Sequence, residues 1–192
     1  MSNFDKAYQH TLAVEGGYVN DPDDRGQETY KGVSRKWFPN WAGWAIIDAL
    51  KKQPGFPKNI GIKLEPATKA FYHTEFWVKH GINRLDNPFI AGEVFDTGVN
   101  VGPQKGIMFL QEAMNLCNQN GKLYGELTVD GNLGPKTAIM VNQFPKDRIS
   151  VLLGVLNLLQ GEHYLNICRK APTQEKFLHG WVGQRILLSS EI

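Results

Sequence analysis

The stretch "VEGGYVNDPDDRGQETYKG", residues 14–32, decides how this chain is read. It follows a segment whose spacing predicts an amphipathic helix over residues 3–15. Ser2 and Asp5 have the spacing of a capping box, and Gly16 is a natural stop. Phe4, Tyr8, Thr11, Leu12 and Glu15 fall on one face by the three/four rule. Glu15 therefore ends an apolar stripe, where a solubilising charge is not expected. After it come two glycines and the turn residues "NDPDDRG". Tyr18–Val19 and Thr29–Lys31 are predicted as the short strands of a hairpin.

That placement has chemical consequences. An apolar surrounding disfavours a charged carboxylate. The partial negative charge at a helix C-terminus does the same. Both keep Glu15 protonated toward neutral pH, which is what a general acid requires. The hairpin can return Asp24 and Thr29 toward Glu15, with Asp24 holding a water or stabilising positive charge and Thr29 orienting that water. Two carboxyl groups flanking a sugar bond are the common glycosidase arrangement. A plainer reading stands beside it: Asp21, Asp23 and Asp24 around Pro22 and Gly26 are ordinary turn residues, and a single buried glutamate can simply be paired.

Working outward, the rest of the chain is mostly helical. A helix start is expected at Ser34, with helix continuing to Pro54–Gly55. Glu65–Pro66 is expected to open a helix that Gly81 ends. Asn87–Pro88, Gly102–Pro103, Gly134–Pro135, Pro145 and Pro172 each mark a further helix start. The 192 residues, 42% hydrophobic and 21% charged, suit a globular core, and a net charge of +2 gives no case for nucleic acid. The apolar run "ISVLLGVLNLLQ" is too short to span a bilayer. Residues 1–12 show neither a basic n-region nor an apolar h-region, so no signal peptide is expected. Cys117 and Cys168 are read as buried thiols, and the five histidines show no metal spacing, so no metal or cofactor is expected.

The quoted stretch closely resembles the signature of glycoside hydrolase family 108, a lysozyme-like family of phage endolysins, bacterial N-acetylmuramidases and proteins labelled secretion activators. Its pattern, E-G-G-Y/F and then D-x-G-G-x-T, is met by Glu15, Gly16, Gly17, Tyr18, Asp24, Gly26 and Thr29. Gln27 stands where the pattern has its second glycine. If that glycine takes a positive φ, Gln27 is strained or the turn is remodelled. "AGEVFDTGVNVGPQKGIMFLQEAMN" resembles the family's next block. "LTVDGNLGPKTAIMVN" and "FLHGWVGQR" resemble the peptidoglycan-binding module paired with it.

The resemblance implies an α+β, predominantly α-helical, lysozyme-like fold with a small β-hairpin near the N-terminus. Residues 1–94 would form the catalytic region and 95–192 a helical peptidoglycan-binding-like region, packed as one compact unit. The implied activity is N-acetylmuramidase hydrolysis of peptidoglycan, with Glu15 as general acid and Asp24 and Thr29 in the second role. Tyr18, Tyr30 and Trp41 are candidates to stack on sugar faces. Asp96 and Asn100, four apart on one helix face, are candidates to line the glycan groove, against the alternative of internal hydrogen bonding. Asp130 and Thr137 are expected to hold a turn and a helix start. The expected partner is the glycan strand, met by a monomer outside the cytoplasm after release or export by a separate system. A non-catalytic wall-binding or secretion-associated protein and a lytic transglycosylase remain as alternatives.

Overall fold

The capping box forms as written. The Ser2 backbone N–H donates to Asp5 Oδ2 at 3.0 Å, and the Asp5 N–H donates to Ser2 Oγ at 3.1 Å. Two of the N–H groups that a helix start leaves without intrahelical carbonyls are thereby satisfied. The computed structural model describes residues 1–13, 16–20, 27–58 and 60–186. Helix α1 runs Asn3–Leu12, followed by strands β1 (Tyr18–Asn20), β2 (Glu28–Tyr30) and β3 (Val33–Ser34). Then come α2 (Gly43–Leu50), α3 (Gly61–Tyr72), α4 (Pro88–Val101), α5 (Pro103–Leu116), α6 (Pro135–Asn142), α7 (Ile149–Lys170) and α8 (Glu175–Arg185). The fold is α+β and predominantly helical, with one small antiparallel sheet near the N-terminus.

The chain divides into two units, Tyr8–Glu75 and Met1–Ala7 with Phe76–Ile192. The expected boundary at 94/95 falls inside α4. In the first unit the expected hairpin pairs Tyr18 with Tyr30 and Val19 with Thr29. A third strand extends it, pairing Thr29 with Ser34 and Tyr30 with Val33. Ser34 therefore does not start a helix. Lys31 at φ 42° and Gly32 at φ 78° make a two-residue turn whose positive φ values suit the twist of a tight hairpin. That turn folds the chain back into β3 before any helix can begin.

The core of this unit is aromatic. Tyr30 and Trp41 stack at 6.1 Å, Trp41 meets Trp44 edge-on at 5.0 Å, and Phe38 meets Phe71 at 4.8 Å. The polar tips are satisfied: Trp41 Nε1 donates to the Ala67 carbonyl, Trp44 Nε1 to the Phe38 carbonyl and the Tyr72 hydroxyl to the Lys31 carbonyl. Helix α3 begins at Gly61, one turn earlier than the Glu65–Pro66 pair suggested. Pro66 costs only the bond to the Ile62 carbonyl, and Ile62 is 87% exposed, so water can serve that oxygen.

In the second unit, Phe4, Trp77 and Phe95 form an edge-on aromatic triangle with centroids 5.5–5.9 Å apart. Asn87 caps α4, its Oδ1 accepting from the Phe89 and Ile90 N–H groups. Helices α4 and α5 approach closely because Gly106 has no side chain; a Cβ there would stand 3.0 Å from the Gly98 nitrogen. Ile107, Leu110 and Met114, spaced three and four apart on α5, are buried. Cys168 is buried and Cys117 half-buried, and both are free thiols. Among the described residues no helix is long and apolar enough to cross a membrane.

Candidate active site

Glu15 and Asp24 lie outside the described residues. Thr29, the third expected member, sits at the centre of β2. A strand sends successive side chains to opposite faces. Tyr18, Glu28, Tyr30 and Val33 therefore share one face, and Thr29 shares the other with Val19 and Ser34. On the first face Glu28, Tyr30 and Val33 are buried and Tyr18 is half-exposed; on the other Ser34 is buried, Thr29 half-buried and Val19 48% exposed. The Thr29 hydroxyl makes a long 3.4 Å contact to the Gln27 carbonyl. Gln27 has φ 54°, so the position that the family pattern gives to glycine does take the left-handed region here.

The stacking candidates fare differently from expectation. Tyr30 and Trp41 expose 2% and 8% of their surface, and their ring faces are used against each other. They build the wall behind the sheet; burial of large aromatic area outweighs any surface role. Tyr18 stays half-exposed, edge-on to Phe56 at 4.7 Å, and its hydroxyl donates to Glu28 Oε1 at 3.0 Å. Burial first, then that hydrogen bond, pushes the Tyr18 pKa up.

Glu28 is a buried carboxylate that the sequence reading passed over. Lys51 Nζ lies 2.6 Å from its Oε1 and Arg35 Nε 3.1 Å from its Oε2. Arg35 also donates to Asp48 at 2.7 Å and stacks over Trp44 at 4.6 Å. Burial opposes the Lys51 charge, but the Glu28 hydrogen bond and charge outweigh it and raise its pKa. The Arg35 hydrogen bond holds Asp48 below the usual carboxylate range. The cluster ties β2 to the loop after β3 and to the end of α2, and so fixes the strand that carries Thr29. An alternation count over "QETYK" would have turned Glu28 inward with Tyr30.

In the second unit, Asp96 and Asn100 share a face of α4 as predicted, but both are engaged internally. Arg185 of α8 donates to Asp96 at 2.6 Å, and the pair is buried. The Tyr164 hydroxyl of α7 donates to Asn100 Oδ1 at 2.7 Å and accepts from Gln160 Nε2 at 2.7 Å. Both side chains make the internal hydrogen bonds named as the alternative, to helices rather than to a loop. Asp96, Gln160, Tyr164 and Arg185 are buried, and buried polar groups are stabilised by pairing with one another. One turn earlier on α4, Glu93 Oε1 is enclosed without a hydrogen-bond partner among the described residues. Burial, then the charge of Asp96, push its pKa up to about 8, and Arg185 opposes them.

The "VDG" turn forms as expected. Asp130 Oδ1 accepts from the Asn132 N–H and from Gln111 Nε2, both at 2.8 Å, and Gly131 turns at φ 74°. Gln111 Oε1 receives the Asp130 and Gly131 N–H groups, so one buried side chain of α5 holds the whole turn. Thr137 Oγ1 contacts the Asn132 carbonyl at 3.4 Å, at the start of α6. Among the described residues no three His, Cys, Asp or Glu side chains gather as a metal site.

Two family models match in tandem: glycosyl hydrolase 108 over residues 8–102, and a predicted peptidoglycan domain over 105–186. The chain is a glycosyl hydrolase 108 protein with a C-terminal peptidoglycan domain. Among solved structures, that of Brucella abortus SagA is similar at 22% identity and a TM-score of 0.52, covering 97% of each chain. At that identity it shows a shared fold. No curated protein matches this chain. The turn held by Gln111 and the Asp96–Arg185 pair have both partners inside, or at the edge of, the two matched segments. The sheet carrying Thr29 falls wholly within the hydrolase segment.

Proposed function

We propose that this glycosyl hydrolase 108 protein is an N-acetylmuramidase that cleaves the β-1,4 bond between N-acetylmuramic acid and N-acetylglucosamine in peptidoglycan. The observation that carries the reading is the tandem of a glycosidase segment and a peptidoglycan segment in one chain. In this reading Glu15 protonates the leaving oxygen. Asp24 activates water or stabilises the developing cation, and Thr29 orients the water from the half-open face of β2. The positive φ of Gln27 supports the turn that the pattern asks for between Asp24 and Thr29. Tyr18 lies on the opposite face of the same sheet, half-exposed, and is the remaining aromatic candidate for sugar contact. The protein acts as a monomer on the wall after release or export by a separate system.

The test is clearing of purified cell walls by the wild type and by Glu15→Gln. The variant should lose at least about a hundredfold in rate, in line with loss of a general acid. Equal clearing by the two would overturn the assignment. Product masses separate hydrolysis from transglycosylation, since the latter gives a product lighter by one water.

A further inference from the structure

A further cavity lies in the second unit. It is a cleft of about 420 Å³ whose lining includes Lys79, His80, Arg84, Asp130, Asn132 and Gly134. Arg84 is a cation with no acidic partner among the described residues, where its guanidinium makes a 3.4 Å contact from NH1 to the Leu133 carbonyl. A guanidinium carries five N–H donors, so most of its capacity is unspent. The seat for Arg84 is built: Gly81 turns at φ 78°, and a Cβ there would collide with Arg84 NH1 and the Leu133 carbonyl. Opposite it, α6 opens at Gly134–Pro135 with no side-chain cap. Its first N–H groups and the positive end of its dipole therefore favour an anion. Asp130 contributes the opposing charge, and Gln111 first, then the Asn132 N–H, keep it ionised below the usual range.

The Arg84 guanidinium and the α6 start favour an anion in this cleft, and Asp130 offers one place for an amine. We propose that it binds the peptide stem of peptidoglycan, with free carboxylates against Arg84, Lys79 and the α6 N-terminus and a free amine toward Asp130. The inference rests on peptidoglycan being the partner. Where a stem is attached, the lactyl carboxyl of the muramic acid is tied up in an amide and the strand is neutral, so the charge this cleft can recognise there resides on the peptide. Arg is suited to the task because its planar fork matches a carboxylate.

The experiment is an NMR titration of the full chain with an N-acetylmuramyl tripeptide. Three parallel titrations use the same tripeptide with amidated carboxylates, chitotetraose, and inorganic phosphate. The free tripeptide should shift the amides of Gly131, Asn132 and Lys136. Its affinity should fall about tenfold in Arg84→Gln, as for loss of one charge-assisted hydrogen bond, and also with rising salt. Lys79→Gln serves as the second variant should Arg84→Gln unfold. Equal binding of the amidated tripeptide, unchanged affinity in both variants, or phosphate binding that the tripeptide does not displace would each overturn the proposal. Turnover plays no part in the readout. Loss of wall clearing with intact tripeptide binding would therefore count against the hydrolase reading alone, and the reverse against the cleft alone.

Discussion

Glu93→Gln should make this protein more stable at neutral pH and flatten its response to pH. The Glu93 carboxyl has a folded pKa of about 8 against an ordinary 4.5, because burial and the Asp96 charge disfavour its ionised form. Below pH 4.5 both the folded and the unfolded chain hold this proton. Between pH 4.5 and 8 only the folded chain does, so each unit of pH lowers the free energy of the unfolded state by about 1.4 kcal/mol. By pH 7 the loss is about 3 kcal/mol, and it levels off near 5 kcal/mol above pH 8. A domain of this kind is stable by about 5–15 kcal/mol, so the effect is large. Glutamine has the shape of the protonated acid and cannot ionise. Urea unfolding of both proteins from pH 4 to 9 should give curves that coincide near pH 4 and diverge by about 3 kcal/mol at pH 7. Taking the difference cancels every other titrating group. Parallel curves across that range would refute the reasoning and mean that Glu93 is ionised and paired in the folded state.

Gln27→Gly should raise the melting temperature slightly. It relieves about 1 kcal/mol of left-handed strain at φ 54° and returns part of it as unfolded-chain entropy. Gln27→Val should lower it, and the reverse order would show the strain to be absent. Asn118→Ala should cost about 3 kcal/mol in denaturant unfolding. Its fully buried amide donates to the Tyr124 carbonyl and to Glu126, and accepts from the Leu123 and Tyr124 N–H groups. A loss under 1 kcal/mol would mean that the loop re-pairs elsewhere. Glu28→Ala should cost about 2 kcal/mol because it removes the buried anion of the cluster and leaves Arg35 and Lys51 only the exposed Asp48. Thermal unfolding reads this directly, and an unchanged midpoint would sink the role given to the cluster.

Local signals were legible wherever a residue acts on its own backbone. The Ser2–Asp5 box, the Asn87 cap, the Gly102–Pro103 and Gly134–Pro135 starts and the Asp130 turn all form where the sequence puts them. Each depends on neighbours within a few residues, so spacing suffices. The motifs of the hydrolase and peptidoglycan segments were legible for the same reason, and both families match. Proline signals were weaker, because Pro66 tolerates a helix that starts a turn before it.

Fates that depend on distant partners were not legible. Nothing around Tyr30 and Trp41 says that each ring is the other's packing surface, since the two meet only once the sheet and the loop before α2 have folded together. Asp96 and Asn100 share a helix face in sequence and in structure. Whether that face lines a groove or a seam was decided by Arg185, 89 residues away, and Tyr164, 64 residues away. The same packing encloses Glu93, whose weakened acidity follows first from burial and then from the charge of Asp96. By itself, then, the sequence determined the capped helix starts, the Asp130 turn and the family. Tertiary packing decided which polar groups meet water and which must find one another.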